Sequence, residues 1–189
     1  MSLPERVSLG ELTLKRWRLE DAKLLTTAVR DNYMHLSPWM PWAKPHPTVW
    51  EYSQIISEWE NQWESGESLS YGLFVKGAVV GSSGIHRWSD LGVREIGYWV
   101  HKNYLRQGYA TKATKGLIAI AFDIPGVKYV EIRNDEANAG SVAIPKKLGF
   151  NIVSKLSTER PLLSGEKGVM FVWRVSKENW IKRGQAERI

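Results

Sequence analysis

Cysteine is missing from this chain of 189 residues. Its absence excludes disulfides, a thiolate nucleophile and any cysteine metal site. Histidine is scarce as well, and His35, His46, His86 and His101 show no metal-ligand spacing, so no metal is expected. The chain has no apolar run near the roughly 20 residues of a transmembrane helix and no N-terminal stretch of signal-peptide type. The expectation is a soluble, cytoplasmic protein without a membrane partner. Repeats, low-complexity tracts and interdomain linkers are lacking too, which leaves residues 1–189 as one domain, long enough for a substantial core.

What the chain does carry is positive charge, a formal +6. Such a balance suits polyanionic partners, whether an acidic protein or a phosphorylated small molecule. Nucleic-acid binding usually concentrates lysine and arginine on one element. Here they are scattered along the chain, so no direct nucleic-acid contact is expected.

Apolar periodicity orders the elements. Leu12–Trp17 alternates like a strand, and a helical stretch follows from Leu19 to Arg30, with Glu20 and Asp21 in its first turn, where the helix dipole favours acids. Between Asp31 and Pro47, four prolines (Pro38, Pro41, Pro45, Pro47) beside Trp39 and Trp42 interrupt regular helix, so a structured loop or short turns are expected. Tyr52, Ile55, Ile56, Trp59 and Trp63 recur every three or four residues and predict a helix over Glu51–Glu64, ended by Gly66. Lys76-Gly77 marks a hairpin between Tyr71–Val75 and Ala78–Ser83. Ile85–Trp88 continues the strand pattern, Asp90-Leu91-Gly92 is a second turn, and Glu95–Val100 completes an antiparallel meander. A helix after Gly108 leads to a strand over Val127–Arg133, a helix over Ser141–Leu148, and strands over Phe150–Leu156 and Val169–Val175. The result is a mixed α/β sheet. Pro145 lies inside the last helix and predicts a kink or a short first turn.

Two segments gather groups suited to a phosphate-bearing ligand. In Arg94–Ala113 a strand runs into Arg106-Gln107-Gly108-Tyr109-Ala110, which opens a helix, so backbone amides and the positive end of a helix dipole face one small volume. Gly108 lets an anion approach without a Cβ in the way, and Thr111 and Lys112 add a hydroxyl and a charge. Alternation along Glu95–Val100 puts Glu95, Gly97 and Trp99 on one face and Ile96, Tyr98 and Val100 on the other. Burial among apolar neighbours raises a carboxyl pKa and makes Glu95 a candidate proton acceptor. Further on, Asn138-Ala139-Gly140-Ser141 leads into the helix ending at Lys147-Leu148-Gly149-Phe150. Each feature has a plainer reading: a chain-reversing glycine, a strand carboxylate in an ion pair, a solvated lysine at a helix end.

Taken together, EIGYWV, LRQGYATKA and NAGSVAIPKKLGF are similar to the GNAT superfamily of N-acetyltransferases, most closely to its branch of ribosomal-protein N-terminal acetyltransferases typified by RimJ and RimL. NYMHLSPWMPW resembles the same branch, and the likeness spans LTLKRW through VMFVWRV. It implies a single α/β (α+β) domain with a mixed, mostly antiparallel central sheet flanked by helices, and a pair of parallel strands splayed at the cofactor site. The implied cofactor is acetyl-CoA. Its pyrophosphate would take backbone contacts from Leu105, Arg106, Gln107, Gly108, Tyr109 and Ala110, with Thr111 close by. The backbone near Trp99 and Val100 would hold the acetyl and pantetheine portion, Asn138 and Ser141 the pantetheine arm, and Lys147 a phosphate. Leu105 departs from the glutamine or arginine usual at its position, and Pro145 stands where many members carry the tyrosine that protonates the departing thiolate.

In RimL-like relatives a serine and a C-terminal glutamate take acid and base roles, which implies Ser141 and Glu159, beside Glu95, as catalytic candidates. Trp39, Trp42 and His86 are the candidates on the acceptor side, since aromatic walls hold a peptide or the apolar part of an amine. The implied acceptor is a primary amine. It is either the N-terminal α-amine of an acidic ribosomal protein or a small amine such as a polyamine, an amino acid or an antibiotic. With the usual acid missing, a non-catalytic acyl-CoA-binding module is the alternative, and a homodimer stays open beside a monomer.

Overall fold

The structure, a computed structural model, describes residues 3–87 and 92–186. Strands β1 (Arg6–Leu9), β2 (Leu12–Arg16), β3 (Ser68–Val75), β4 (Ala78–Arg87), β5 (Val93–Val100), β6 (Tyr129–Asp135), β7 (Asn151–Ser157) and β8 (Val169–Ser176) form one sheet in the order β1-β2-β3-β4-β5-β6-β8-β7. Every neighbouring pair is antiparallel except β5 with β6. The described residues also form helices α1 (Ala22–Asp31), α2 (Tyr33–Leu36), α3 (Val49–Ser65), α4 (Tyr109–Asp123), α5 (Ala139–Leu148) and α6 (Lys177–Ala186), none of them long and apolar enough to cross a membrane.

Local chemistry explains the boundaries. Thr48 and Glu51 start α3 with a reciprocal capping box, Thr48 Oγ1 accepting from Glu51 N at 3.2 Å and the Glu51 carboxylate accepting from Thr48 N at 2.9 Å. Gly66 ends the helix with φ +71°. The β3–β4 hairpin turns on Lys76 and Gly77, with φ of +48° and +84°, the two positive values that match the twist of its strands. A parallel pair cannot be joined by a tight turn. The chain accordingly leaves β5, crosses as α4 and returns as β6.

One face of the sheet packs Ile96, Val130, Ile132 and Trp173 with Leu117, Ile118 and Ala121 of α4. Trp17 and Trp99 pack with Leu25 and Val29 of α1 and with Tyr52 and Ile56 of α3 on the other. Between these layers β5 and β6 pair only at their starts, Val93–Glu95 against Tyr129–Glu131. Beyond Glu95 they part, and β6 continues in register with β8 as far as Asp135.

Several expectations change. The stretch from Leu19 begins as a 3-10 turn, Leu19–Asp21, before α1. β1 and α6 have no counterpart in the sequence reading, being respectively four residues long and largely polar. A single turn, α2, occupies part of the proline-rich segment. The expected continuation to Trp88 and the turn at Asp90-Leu91 lie outside the described residues. Helix α5 begins at Ala139 rather than Ser141 and runs through Pro145 to a left-handed Gly149, so proline does not shorten it. Its effect falls on a hydrogen bond instead.

Candidate active site

The gap between β5 and β6 joins the two faces of the sheet. A cleft of about 700 Å³ runs through it, lined by Glu95, Gly97, Trp99, Arg133 and Asp135 from one side and by Ile96, Tyr98, Ile132 and Asn134 from the other. These sets are the alternate residues of two strands, which alternation sends to opposite faces. The Glu95 side is the one covered by α1 and α3; the Tyr98 side looks toward α5.

On the first side Glu95 is the central acid. Its Oε2 lies 3.2 Å from Arg133 Nε, and Arg133 also donates to Glu131, which accepts from Arg174 as well. The chain of charges Glu95, Arg133, Glu131, Arg174 thus crosses β5, β6 and β8. Burial raises the Glu95 pKa, Arg133 draws it down and Glu131 pushes it up, with a net rise. His86, opposite Glu95 in the register, has its Nδ1 2.7 Å from Ser68 Oγ, and burial lowers its pKa. Removal of Arg133 charge should therefore raise the Glu95 pKa further. For Arg133→Met the Glu95 carboxyl is expected to titrate at higher pH, read from its NMR chemical shift across pH.

On the second side Tyr98 reaches α5. Its hydroxyl donates to the Ser141 carbonyl at 3.1 Å and lies 3.3 Å from Ser141 Oγ. The reason is Pro145. In an α-helix the amide of residue 145 would bond the carbonyl of residue 141, and proline has no amide hydrogen. Tyr98 takes the vacant acceptor. Burial pushes its pKa up to about 12, against the opposing effect of the Ser141 hydrogen bond, so the phenol stays protonated and donates. Asn138 caps α5, its Oδ1 accepting from Ser141 N at 3.0 Å, which leaves Nδ2 as its remaining donor group.

The anion-cradle segment has the form its sequence suggests. Gly108 is the N-cap of α4 at φ +80°, and Arg106 also takes a positive φ of +60°. The first bond inside α4 runs from Lys112 N to Gly108 O at 2.9 Å, so the amides of Tyr109, Ala110 and Thr111 precede the helical ladder. Leu105, Arg106, Gln107 and Gly108 are exposed, whereas the Tyr109 ring is anchored in the core. Gly108 is glycine for its backbone angle, because a Cβ there would meet nothing within 4 Å.

The cleft brings together Trp39, Trp42, His86, Glu95, Trp99, Asn138 and Ser141. Val100, Leu105–Thr111 and Lys147 do not line it. Lys147 is exposed in the last turn of α5, about 9 Å along the axis from Ser141. Glu159 is exposed and also outside the lining; the C-terminal acid that lines the cleft is Glu166. Arg160 holds Glu166 by two bonds of 2.9 and 2.7 Å and keeps its pKa below the usual carboxylate range.

Residues 158–168 join β7 to β8 and wall part of the cleft through Arg160 and Glu166. Asp135 accepts from the amides of Ala137, Lys167 and Gly168; burial works to raise its pKa, and these donors hold it lower than usual. Gly165 N donates to Pro38 O at 3.2 Å, and a Cβ at Gly165 would crowd both Pro38 O and the Trp39 ring. The 158–168 wall therefore meets the proline-rich segment over the cleft. Tyr98, Arg133, Asp135, Arg160 and Glu166 were not singled out by sequence reading. One signal was available: Glu131, Arg133 and Asp135 put a charge at every second position of a largely buried strand.

Comparison with known proteins fits this geometry. The family model described as the acetyltransferase (GNAT) domain matches residues 11–151. The chain belongs to the GNAT acetyltransferases. YdaF of Bacillus subtilis (strain 168), a candidate ribosomal N-acetyltransferase by its name, is 28% identical over 141 residues, covering 74% of this GNAT chain and 77% of YdaF. RimL, a ribosomal L7/L12 α-N-protein acetyltransferase solved with coenzyme A, superposes with TM-score 0.84 at 16% identity, covering 91% of this chain and 98% of RimL. Mycobacterium smegmatis RimJ, solved with a coenzyme A disulfide, gives TM-score 0.79 at 23% identity over 92% of this chain and 85% of RimJ. At those identities the structural likeness is one of fold: the mostly antiparallel sheet of this GNAT chain, its flanking helices and its opened parallel pair.

Proposed function

We propose that the protein is an acetyl-CoA-dependent N-acetyltransferase whose acceptor is a protein N-terminal α-amine. The observation that carries this reading is the opening between β5 and β6, with a half-buried carboxyl, Glu95, on one side and a hydroxyl pair, Tyr98 and Ser141, on the other. RimL and RimJ, both solved with coenzyme A, share this fold.

The residues fit such a ligand. Backbone amides of Leu105–Ala110, with Thr111, would hold its pyrophosphate at the start of α4, where the free amides and the dipole favour an anion. Asn138 Nδ2 and the backbone of Trp99 and Val100 suit an amide-rich arm. When bound, acetyl-CoA supplies an activated acetyl thioester. As a C–N bond replaces the thioester C–S bond, Glu95 would take the proton of the acceptor amine, and Ser141 Oγ, positioned by Tyr98 on the far side of the gap, would give a proton to the departing thiolate. The cleft is large enough for the first residues of a peptide, and the names of RimL and YdaF point to ribosomal acceptors.

Purified protein incubated with acetyl-CoA and a panel of peptides and small amines is expected to yield mass-shifted peptides acetylated at the α-amine. Turnover of small amines alone rejects the protein acceptor, and coenzyme A binding without transfer to any acceptor rejects the enzyme. The cradle has its own test. Gly108→Ala imposes φ +80° on an L-residue, a cost of roughly 1–2 kcal/mol, and adds a methyl beside the free amides. Expected outcomes are a melting temperature lower by about 2–8 °C and coenzyme A affinity lower by about tenfold in calorimetric titration, a loss of about 1.4 kcal/mol.

A further inference from the structure

Three cross-strand rows on one sheet face make the floor of the cleft. His86 stands opposite Glu95, Gly84 opposite Gly97, and Ser82 opposite Trp99. The first row is polar and ionisable, with His86 held against Ser68. No side chain stands in the second. A Cβ on Gly84 would sit 3.0 Å from the His86 ring, and one on Gly97 would lie 3.6 Å from His86 Nε2, so the His86 ring leans over this row and forms the edge of the cleft there. The third row is aromatic: Trp99 is 9% exposed, the Trp42 ring lies 6.4 Å from it at 51°, and Tyr52, Met40 and Trp59 pack into the same cluster. At about 3.3 Å per strand residue, Glu95 and Trp99 are separated by roughly 13 Å along β5.

Such a floor sorts amines by the substituent their nitrogen carries. With the reacting amine at Glu95, a substituent running along β5 passes the His86 ring and Gly97 and then meets an aromatic wall. A short polar substituent gains nothing there. An aromatic or bulky aliphatic group removes its own surface and that of Trp42, 43% exposed, from water. A polycation would need a second available carboxylate. Asp135 is engaged by three backbone amides and Glu166 by Arg160.

Resting on the acetyl-transfer reading above, we infer that the acceptor is a primary amine carrying an aromatic or bulky aliphatic group next to the reacting nitrogen, received by Trp42 and Trp99. An N-terminal Phe or Leu residue and a free arylalkylamine share this chemistry, and the test separates them.

Initial rates with acetyl-CoA are compared for matched peptides beginning with Phe, Leu, Ser or Ala, and for phenylethylamine against ethanolamine and spermidine. The kcat/KM for Phe or Leu peptides is expected to exceed that for Ser or Ala by at least about tenfold, a difference of about 1.4 kcal/mol, and Trp42→Ala to narrow the gap by raising KM most for the apolar acceptors. Rates on Ser, Ala or spermidine that equal or exceed the apolar ones overturn the inference. Preference for phenylethylamine over every peptide assigns the free amine as the source; preference for peptides assigns the protein. The same amines titrated calorimetrically into the coenzyme A complex keep the inference apart from the reading beneath it. Tighter binding of phenylethylamine than ethanolamine, weakened by Trp42→Ala, upholds the aromatic subsite even where no acetyl moves, and equal binding overturns it.

Discussion

Glu95→Gln is expected to lower kcat/KM for acetyl transfer by about 10²–10³-fold while leaving coenzyme A affinity within about twofold, within the range for loss of a positioned general base. The carboxyl is on the opposite side of the strand gap from Ser141 and beneath the acceptor cleft, so its removal touches the amine and not the cradle. Unfolding is an unsuitable explanation for that loss. A carboxyl whose folded pKa is raised gives its full stability below its unfolded pKa and loses it as pH climbs through the folded value. Gln does not titrate, so near neutral pH the variant is expected to melt no lower than the parent. The pH profile is expected to add a second signature: loss of activity in the parent as Glu95 gains a proton, at a pH above a glutamate's ordinary value, and no such limb in the residual activity of the variant. Initial rates across pH, a coenzyme A titration and a thermal melt check all three. If Glu159→Gln costs more than Glu95→Gln, the base belongs to the C-terminal wall and Glu95 is an element of the charge chain alone.

Much of this site was legible in one dimension because local rules govern it. Period-two alternation put Glu95, Gly97 and Trp99 on one face, and the three floor rows extend that same rule across the hairpin register. Gly108 was readable as the entry to α4, since few other residues accept a positive φ at such a turn. The spacing of Tyr52, Ile56 and Trp63 recovered α3, all three buried as a helical stripe requires. What stayed hidden depends on contacts between distant segments. Glu166 lines the cleft only because Asp135, on another strand, gathers the amides of Lys167 and Gly168. Arg133 matters through Glu95 and Glu131, a relation set by the parallel register of β5 and β6. Pro145 was visible as an irregularity, but its consequence needed a donor 47 residues earlier in the chain. That donor is Tyr98.

Ser141→Ala is expected to lower kcat by about 10²-fold, toward the lower end for a positioned proton donor, and Tyr98→Phe by about 3- to 10-fold, the worth of one hydrogen bond of roughly 0.5–1.5 kcal/mol. The two losses should not multiply. Tyr98 is a positioning residue: its phenol, kept protonated by burial, donates to the Ser141 carbonyl and sits against Ser141 Oγ, so its influence on the reaction passes through that serine. The double variant is therefore expected to match Ser141→Ala alone, with KM for acetyl-CoA moving little in any of the three. Since the phenol titrates far above the assay range, Tyr98→Phe should lower the height of the pH profile without displacing its basic limb. A multiplicative loss in the double variant would make Tyr98 an independent proton donor instead. Pro145→Ala tests the same link from the other end. It restores an amide at position 145 that competes with the phenol for the Ser141 carbonyl and removes a proline whose place inside a helix costs about 3 kcal/mol. The variant is expected to melt higher yet turn over more slowly, because the hydrogen bond that steadies α5 is the one that releases Tyr98 from Ser141.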